Sequence, residues 1–275
     1  GSLGLTGKLN NTHLNDPEQD TGAFRVALFR AGIRPNEIHL AQRKAETIRA
    51  YLELHIEQSE RLANSDAQIG IVSKIVGRST YDINFYSQAT HAATTKRATQ
   101  RDALQAAARF ITEMHALATE RYPQGVFNCG NVTVQPGAYS VVPKVASLRV
   151  ELRHHDGTIL SDMDSAINRL THEIAKYYRV SVGAQQILRR DVAIMDEGLQ
   201  TIIEAVCEQQ SRKHMPIISY AGHDAQILSQ TIPCAMIFVP SQDGISHNPK
   251  EFTQWTDIEA GANVMLHTIL EIIGD

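Results

Sequence analysis

Apolar and polar side chains alternate along residues 51–58, Tyr51-Leu52-Glu53-Leu54-His55-Ile56-Glu57-Gln58. In an extended strand, Leu52, Leu54 and Ile56 share one face, and Glu53, His55 and Glu57 share the other. One face can enter a core while the other offers an imidazole between two carboxylates. Residues 69–76 form a second apolar strand, and Gly77 is a plausible hinge beyond it. Upstream, Asp16-Pro17-Glu18-Gln19 reads as a capped helix start. Phe24, Ala27, Leu28 and Ala31 would be its buried stripe, ended by Gly32.

The pattern then changes. Residues 81–89 alternate, with Tyr81, Ile83 and Phe85 on one face. Residues 99–120 place Leu104, Ala107, Ala108, Ile111, Met114 and Leu117 at helical spacing. Strands at 126–134 and 144–154 flank the turn Gln135-Pro136-Gly137. A helix over 160–178 and a strand over 180–192 follow. The order β-α-β-β-α-β predicts a ferredoxin-like split unit, an antiparallel sheet with both helices on one face. Its other face, or an edge strand, is left for a partner. After residue 193 the pattern predicts a helix at 197–213, strands near 216–220 and 234–239, and a last helix opened by the capping box Thr256...Glu259. The expected architecture is one α/β domain built from 1–76 and 193–275, with the 77–192 module inserted in it.

Composition narrows the classes. The 275 residues are 43% hydrophobic and 20% charged, which suits a packed core. The net charge of −4 argues against an electrostatic nucleic-acid partner. No apolar run is long enough to cross a bilayer, and no signal peptide is expected. Cys129, Cys207 and Cys234 are scattered and odd in number. They read as reduced thiols in a cytoplasmic protein rather than a disulfide framework.

The residues themselves offer candidates with bland alternatives beside them. His55 suits a metal, because neutral imidazole is a good ligand and a nearby carboxylate fixes its tautomer. The bland reading is a half-exposed strand with ordinary charges. His247 sits in a glycine turn, Gly244-Ile245-Ser246-His247, after the apolar 234–239 run. Loops in that position line clefts of α/β sheets. Arg153 shares the polar face of strand 146–152 with Arg149 and Glu151, where a guanidinium can grip a carboxylate or simply be solvated. Gly222 allows close backbone approach to a ligand, and the helix start behind it is an anion site.

The octapeptide 51–58 resembles a motif of the hydantoinase/carbamoylase branch of the dinuclear metal amidohydrolases. Four further segments match in order: Ala89-Thr90-His91-Ala92-Ala93-Thr94-Thr95, Arg153-His154-His155-Asp156, Ala221-Gly222-His223-Asp224-Ala225 and the His247 turn. The resemblance covers nearly the whole chain. It implies a metallopeptidase-like α/β/α catalytic domain carrying an inserted lid and dimerisation domain. It implies two divalent metal ions (zinc, manganese, cobalt or nickel) with His55 and His247 among the ligands. Gln58, Ser140, Arg153, Gly222 and His223 would contact substrate, and His91 would stabilise the oxyanion at a neighbouring subunit's site. The substrate would be a carboxylate-bearing amide or ureide, such as an N-carbamoyl-L-amino acid or allantoate, and the enzyme a homodimer.

Three departures stand out. Ala93 replaces the family's glycine, Lys96-Arg97 replaces Pro-Met, and Ser140 replaces an asparagine. The family's His-x-Asp, bridging aspartate and Glu-Glu elements precede the Gly-Ser segment with which this chain opens. The chain is therefore expected to lack the amino-terminal part of the catalytic domain. Two alternatives follow: a catalytically inert fragment or dimeric binding protein of this fold, and an aminoacylase or dipeptidase of the wider clan.

Overall fold

The computed structural model describes residues 1–9, 21–96 and 99–274. The expected cap at Asp16 lies outside them, as do Arg97 and the side chain of Phe24. The chain divides into two compact units, Gly1–Ile75 with Ala193–Asp275, and Val76–Val192.

The first unit is built on a mixed sheet, preceded in the chain by the short α1 (Ser2–Leu5) and by α2 (Thr21–Arg30). Strand β11 (Cys234–Val239) is its spine, buried along its whole length. β1 (Tyr51–Ile56) pairs with β11 in parallel, from Tyr51↔Cys234 to Ile56↔Val239. β2 (Ile69–Ile75) pairs antiparallel on the other side of β11, and β10 (His214–Ser219) lies parallel to β2. The short β9 (Ala193–Ile194) also joins β2. The sheet order β1-β11-β2-β10 puts β1 at an edge of the described sheet.

Alternation along β11 divides the core. Ala235, Ile237 and Val239 face Leu199, Ile203 and Val206 of α5 (Glu197–Gln209) and Ala260 and Val264 of α7 (Trp255–Gly274). Cys234, Met236 and Phe238 face Leu62, Ile217 and the short α6 (Asp224–Leu228). β1 follows the same rule. Leu52, Leu54 and Ile56 pack with the first cluster and Tyr51 with the second. The 51–58 alternation thus separates the two faces of the strand as expected. Regular strand ends at Ile56, however. Gln58 turns to φ 61°, and Glu57 is buried, accepting from the Leu62 amide at 2.8 Å and from the Ser59 hydroxyl. Its carboxylate holds a turn and does not flank His55.

The second unit has the expected element order. β3 (Gly77–Tyr86), β5 (Val126–Gln135), β7 (Val145–His154) and β8 (Ser181–Arg190) form an antiparallel sheet in the order β5-β7-β3-β8. Both long helices, α3 (Ala103–Arg121) and α4 (Gly157–Tyr178), share one core with Tyr81, Ile83, Phe85, Leu148, Val150 and Leu152. The opposite face carries Arg78, Thr80, Asp82 and Asn84 on β3 and Ser147, Arg149, Glu151 and Arg153 on β7. A two-stranded ribbon joins β4 (Thr90–His91) to β6 (Val141–Val142).

Both helix starts are fixed by aspartates. Asp102 accepts from the Leu104 and Gln105 amides at 2.9 and 3.1 Å, so α3 begins at Ala103 rather than near 99. Asp156 accepts from the Thr158 and Ile159 amides at 2.8 and 3.2 Å. The Thr158 hydroxyl and these amides hold the Asp156 carboxyl down at about 2.

Gly77 opens β3 and is the second residue of the Val76–Val192 unit. A Cβ there would fall 2.6 Å from Leu160 Cδ2 and 3.1 Å from the Arg190 carbonyl oxygen. The residue is small because α4 and β8 approach closely. Gly77→Ala is expected to destabilise the fold by about 1–3 kcal/mol through overpacking, read as a lower midpoint of urea unfolding with the slope unchanged.

Candidate functional site

In the first unit, β1 projects Glu53 and His55 from one face. The His55 Nδ1 lies 2.8 Å from the Ile56 carbonyl oxygen. A carbonyl can only accept, so Nδ1 carries the proton and Nε2 keeps its lone pair. The ring stands edge-on to His223 at 4.7 Å between centroids. This is the state of imidazole that a divalent cation requires.

Glu53 ties the strand to α6. Its Oε2 accepts from the Ala225 amide at 2.9 Å, and its Oε1 lies 3.5 Å from His223 Nδ1. Burial raises the Glu53 pKa, but the hydrogen bonds from His223 and Ala225 outweigh it and leave the carboxyl below its ordinary value. The same carboxylate, after burial itself, pushes the Tyr51 hydroxyl up. His223 is deeply buried, its side chain 2% exposed, and its Nε2 lies 2.9 Å from Ser219 Oγ. Both ring nitrogens therefore face protein groups. The amide opening α6, expected as an anion site beside Gly222, is taken by Glu53. Asp224 accepts from Ser2 Oγ at 2.5 Å.

The loop after β11 reaches the same strand. The Gln58 amide donates to Ser241 Oγ at 3.0 Å, and Gln58 Nε2 donates to Ser246 Oγ at 2.7 Å. Ser246 Oγ donates to Glu251 Oε2 at 2.8 Å, and the same oxygen accepts from the His247 amide at 3.1 Å. These two hydrogen bonds lower the Glu251 pKa, with His247 and His55 adding smaller charge effects. The chain of bonds fixes the backbone of His247, which has φ 56° and is exposed. Among the described residues, no three His, Cys, Asp or Glu side chains cluster as a metal-holding group.

The second unit brings His91 and Ser140 together. The Ala92 amide donates to the Ser140 carbonyl oxygen at 2.8 Å across the β4–β6 ribbon. His91 Nδ1 accepts from the Ala93 and Thr94 amides at 3.1 and 3.3 Å. The proton must then sit on Nε2, which makes His91 an exposed outward donor. Arg153 stands on the open sheet face, its Nε 2.6 Å from Glu151 Oε1. Within its motif, His154 Nδ1 accepts from the Asp156 amide at 2.9 Å, so Arg-His-His-Asp is a strand end joined to a helix cap.

Sequence reasoning missed Ser219, Ser241, Ser246 and Glu251. Ser246 and Glu251 flank His247 closely enough to have been suspected. Ser219 and Ser241 carry no spacing signal.

Known proteins give the chain its family. The model of peptidase family M20/M25/M40 matches residues 22–271, and the chain belongs to that family. Within it, the expected likeness to the hydantoinase/carbamoylase branch holds. The allantoate amidohydrolase of Bacillus subtilis is 28% identical over 273 residues, covering 99% of this chain and 66% of the relative. The N-carbamoyl-L-amino acid amidohydrolase of Geobacillus stearothermophilus is 30% identical over 272 residues, with the same two shares. A hydantoinase/carbamoylase family amidase from Burkholderia vietnamiensis superimposes with a TM-score of 0.77 at 35% identity, over 84% of this chain and 55% of that one. The chain thus spans about two thirds or less of the length of these relatives.

Glu53→Gln tests the β1–α6 contact. A carboxylate with a depressed folded pKa adds stability above its unfolded pKa, and this is lost as pH falls through the folded value. Wild-type stability is therefore expected to fall below pH 4.5, the ordinary value for this group. The Glu53→Gln variant should lose less stability over that interval, as measured by urea unfolding at stepped pH.

Proposed function

We propose that the protein is a metal-dependent amidohydrolase cleaving a non-peptide C–N bond in a linear amide or ureide, such as an N-carbamoyl-L-amino acid or allantoate. The observation that carries this reading is the 2.8 Å contact of His55 Nδ1 with the Ile56 carbonyl oxygen, which in the neutral ring leaves the Nε2 lone pair for a metal. That donor fits a divalent ion, and His247 would be the second imidazole of the set. Two divalent ions, when bound, would supply an activated water. Zinc, manganese, cobalt and nickel all accept such ligands.

The remaining roles belong to the chain's own residues. Glu53 and His223 brace the strand beneath His55. Gln58, held by Ser241 and Ser246, offers an amide to the substrate. Arg153 grips the substrate carboxylate, with Glu151 holding the guanidinium at Nε. His91 donates its Nε2 proton to the oxygen on which charge develops. In this reading the 77–192 module is the lid and dimerisation domain of a homodimer, and His91 serves the neighbouring subunit. His223 then acts by positioning, because its ring is closed in by Glu53 and Ser219.

The test is metal content by mass spectrometry on the full-length protein, with hydrolysis assays on N-carbamoyl amino acids, allantoate and N-acyl amino acids. Bound metal with turnover of the first two supports the reading. Turnover of N-acyl amino acids alone points to an aminoacylase. Neither metal nor turnover points to a binding protein of the same fold. In the active enzyme, His91→Ala is expected to lower kcat by about 10²–10³-fold, the cost of one oxyanion donor. Arg153→Ala should act mainly on KM for carboxylate substrates, raising it by about tenfold or more, as loss of a charge-assisted hydrogen bond requires.

A further inference from the structure

Two residues of the first unit's loops hold backbone angles that ordinarily suit glycine. Gln58 has φ 61° and His247 has φ 56°. Side chains are uncommon in that left-handed region, and they persist there where surrounding contacts hold them. Each is held here through its own amide. Gln58 N–H donates to the buried Ser241 hydroxyl at 3.0 Å, and His247 N–H donates to Glu251 Oε2 at 3.1 Å. One further link joins the two loops. Gln58 Nε2 donates to Ser246 Oγ at 2.7 Å, and Ser246 Oγ donates to Glu251 Oε2 at 2.8 Å.

The direction of that link is fixed by its far end. A carboxylate only accepts, so the single hydroxyl proton of Ser246 goes to Glu251. The serine oxygen is then left as an acceptor, and Gln58 must turn Nε2 toward it. Reversing the Gln58 amide would set two oxygens 2.7 Å apart with no proton between them. Glu251 thereby sets the polarity of a side chain to which it makes no hydrogen bond. Gln58 Oε1 is the atom left over. Among the described residues it makes no hydrogen bond, and it is not one of the buried unpaired atoms. The half-buried Gln58 side chain thus offers an accessible, oriented acceptor. An acceptor held in this way pairs with a donor and rejects an analogue that lacks one.

We propose that Ser246 and Glu251 are positioning residues for substrate choice: through Gln58 Oε1 they select a terminal –NH2, as in a carbamoyl or ureido group, over the terminal methyl of an N-acetyl group. This deepens the functional reading above and rests on the substrate contact given there to Gln58. The two terminal groups are nearly the same size, so shape alone separates them poorly. A methyl placed against Oε1 displaces water and returns no proton, which leaves that oxygen unpaired. A carbamoyl nitrogen supplies the proton. The choice between ureide and simple amide is therefore made by a hydrogen-bond direction set two side chains away.

The test is calorimetric titration of the full-length protein, without added metal, using N-carbamoyl-L-alanine and N-acetyl-L-alanine. The carbamoyl probe is expected to bind about tenfold more tightly, the effect of one hydrogen bond made rather than lost. The ratio should fall toward one in Ser246→Ala and in Glu251→Ala. Ser246→Thr, which keeps the hydroxyl, should retain much of the preference and guards against a variant that fails to fold. A merely structural link would weaken both probes together and leave the ratio unchanged. Equal binding of the two probes, no binding of either, or a preference that survives both alanine variants overturns the proposal. If the preference is present but neither compound is hydrolysed once metal is added, the positioning role stands and the amidohydrolase reading falls. If the probes bind equally and N-carbamoyl-L-alanine is hydrolysed, the reading stands and the positioning role falls.

Discussion

The parallel pairing of β1 with β11 is the constraint on which the first unit's chemistry depends. β11 is buried on both faces and cannot shift without opening two clusters at once. β1 inherits its register from that strand, residue by residue. A slip of one position would turn Glu53 and His55 toward the α7 face and bring Leu52 and Leu54 out of it. The imidazole is therefore located by hydrophobic packing on the opposite side of its own strand. Polar bonds then refine the placement: the Ile56 carbonyl sets the His55 tautomer, and Glu53 anchors α6.

The second unit solves a different problem by similar means. Its sheet buries one face completely under α3 and α4, so the other face is free of packing duties. That freedom lets it hold arginines, asparagines and serines in ordered rows. Asp102 and Asp156 fix the helix starts, and the Asp164–Arg189 pair ties α4 to the sheet. Side chains grounded on strands are held more exactly than side chains on loops.

Much of this was legible in the sequence, for identifiable reasons. Period-two alternation disclosed the faces of β1, β3 and β7, because each turns a run of apolar side chains to one side. Helical stripes disclosed α3 and α4, because both cover a sheet with a single face. What escaped was decided by tertiary contact. Glu57 looked like a partner for His55, yet backbone rotation at Gln58 and the Leu62 amide turned it into a turn-holding group. The reason Gly77 is small, the closeness of Leu160 and the Arg190 carbonyl oxygen, is visible only in the fold. The Ser241 hydroxyl lies far along the chain from Gln58, which it holds, so no local pattern could reveal it, and Ser219, four residues before His223, sits in no recognisable motif. The motifs around His91 and Arg153 were visible, but the direction of the His91 proton needed the Ala93 and Thr94 amides.

The α6 terminus shows how the first unit settles its own charge. A helix start attracts anions, and here Glu53 of β1 already accepts from the Ala225 amide. That electropositive corner is filled from within the fold. On the open sheet face of the second unit, Glu151 is shared between Arg78 and Arg153. Each unit thus meets a cationic position with a carboxylate of its own.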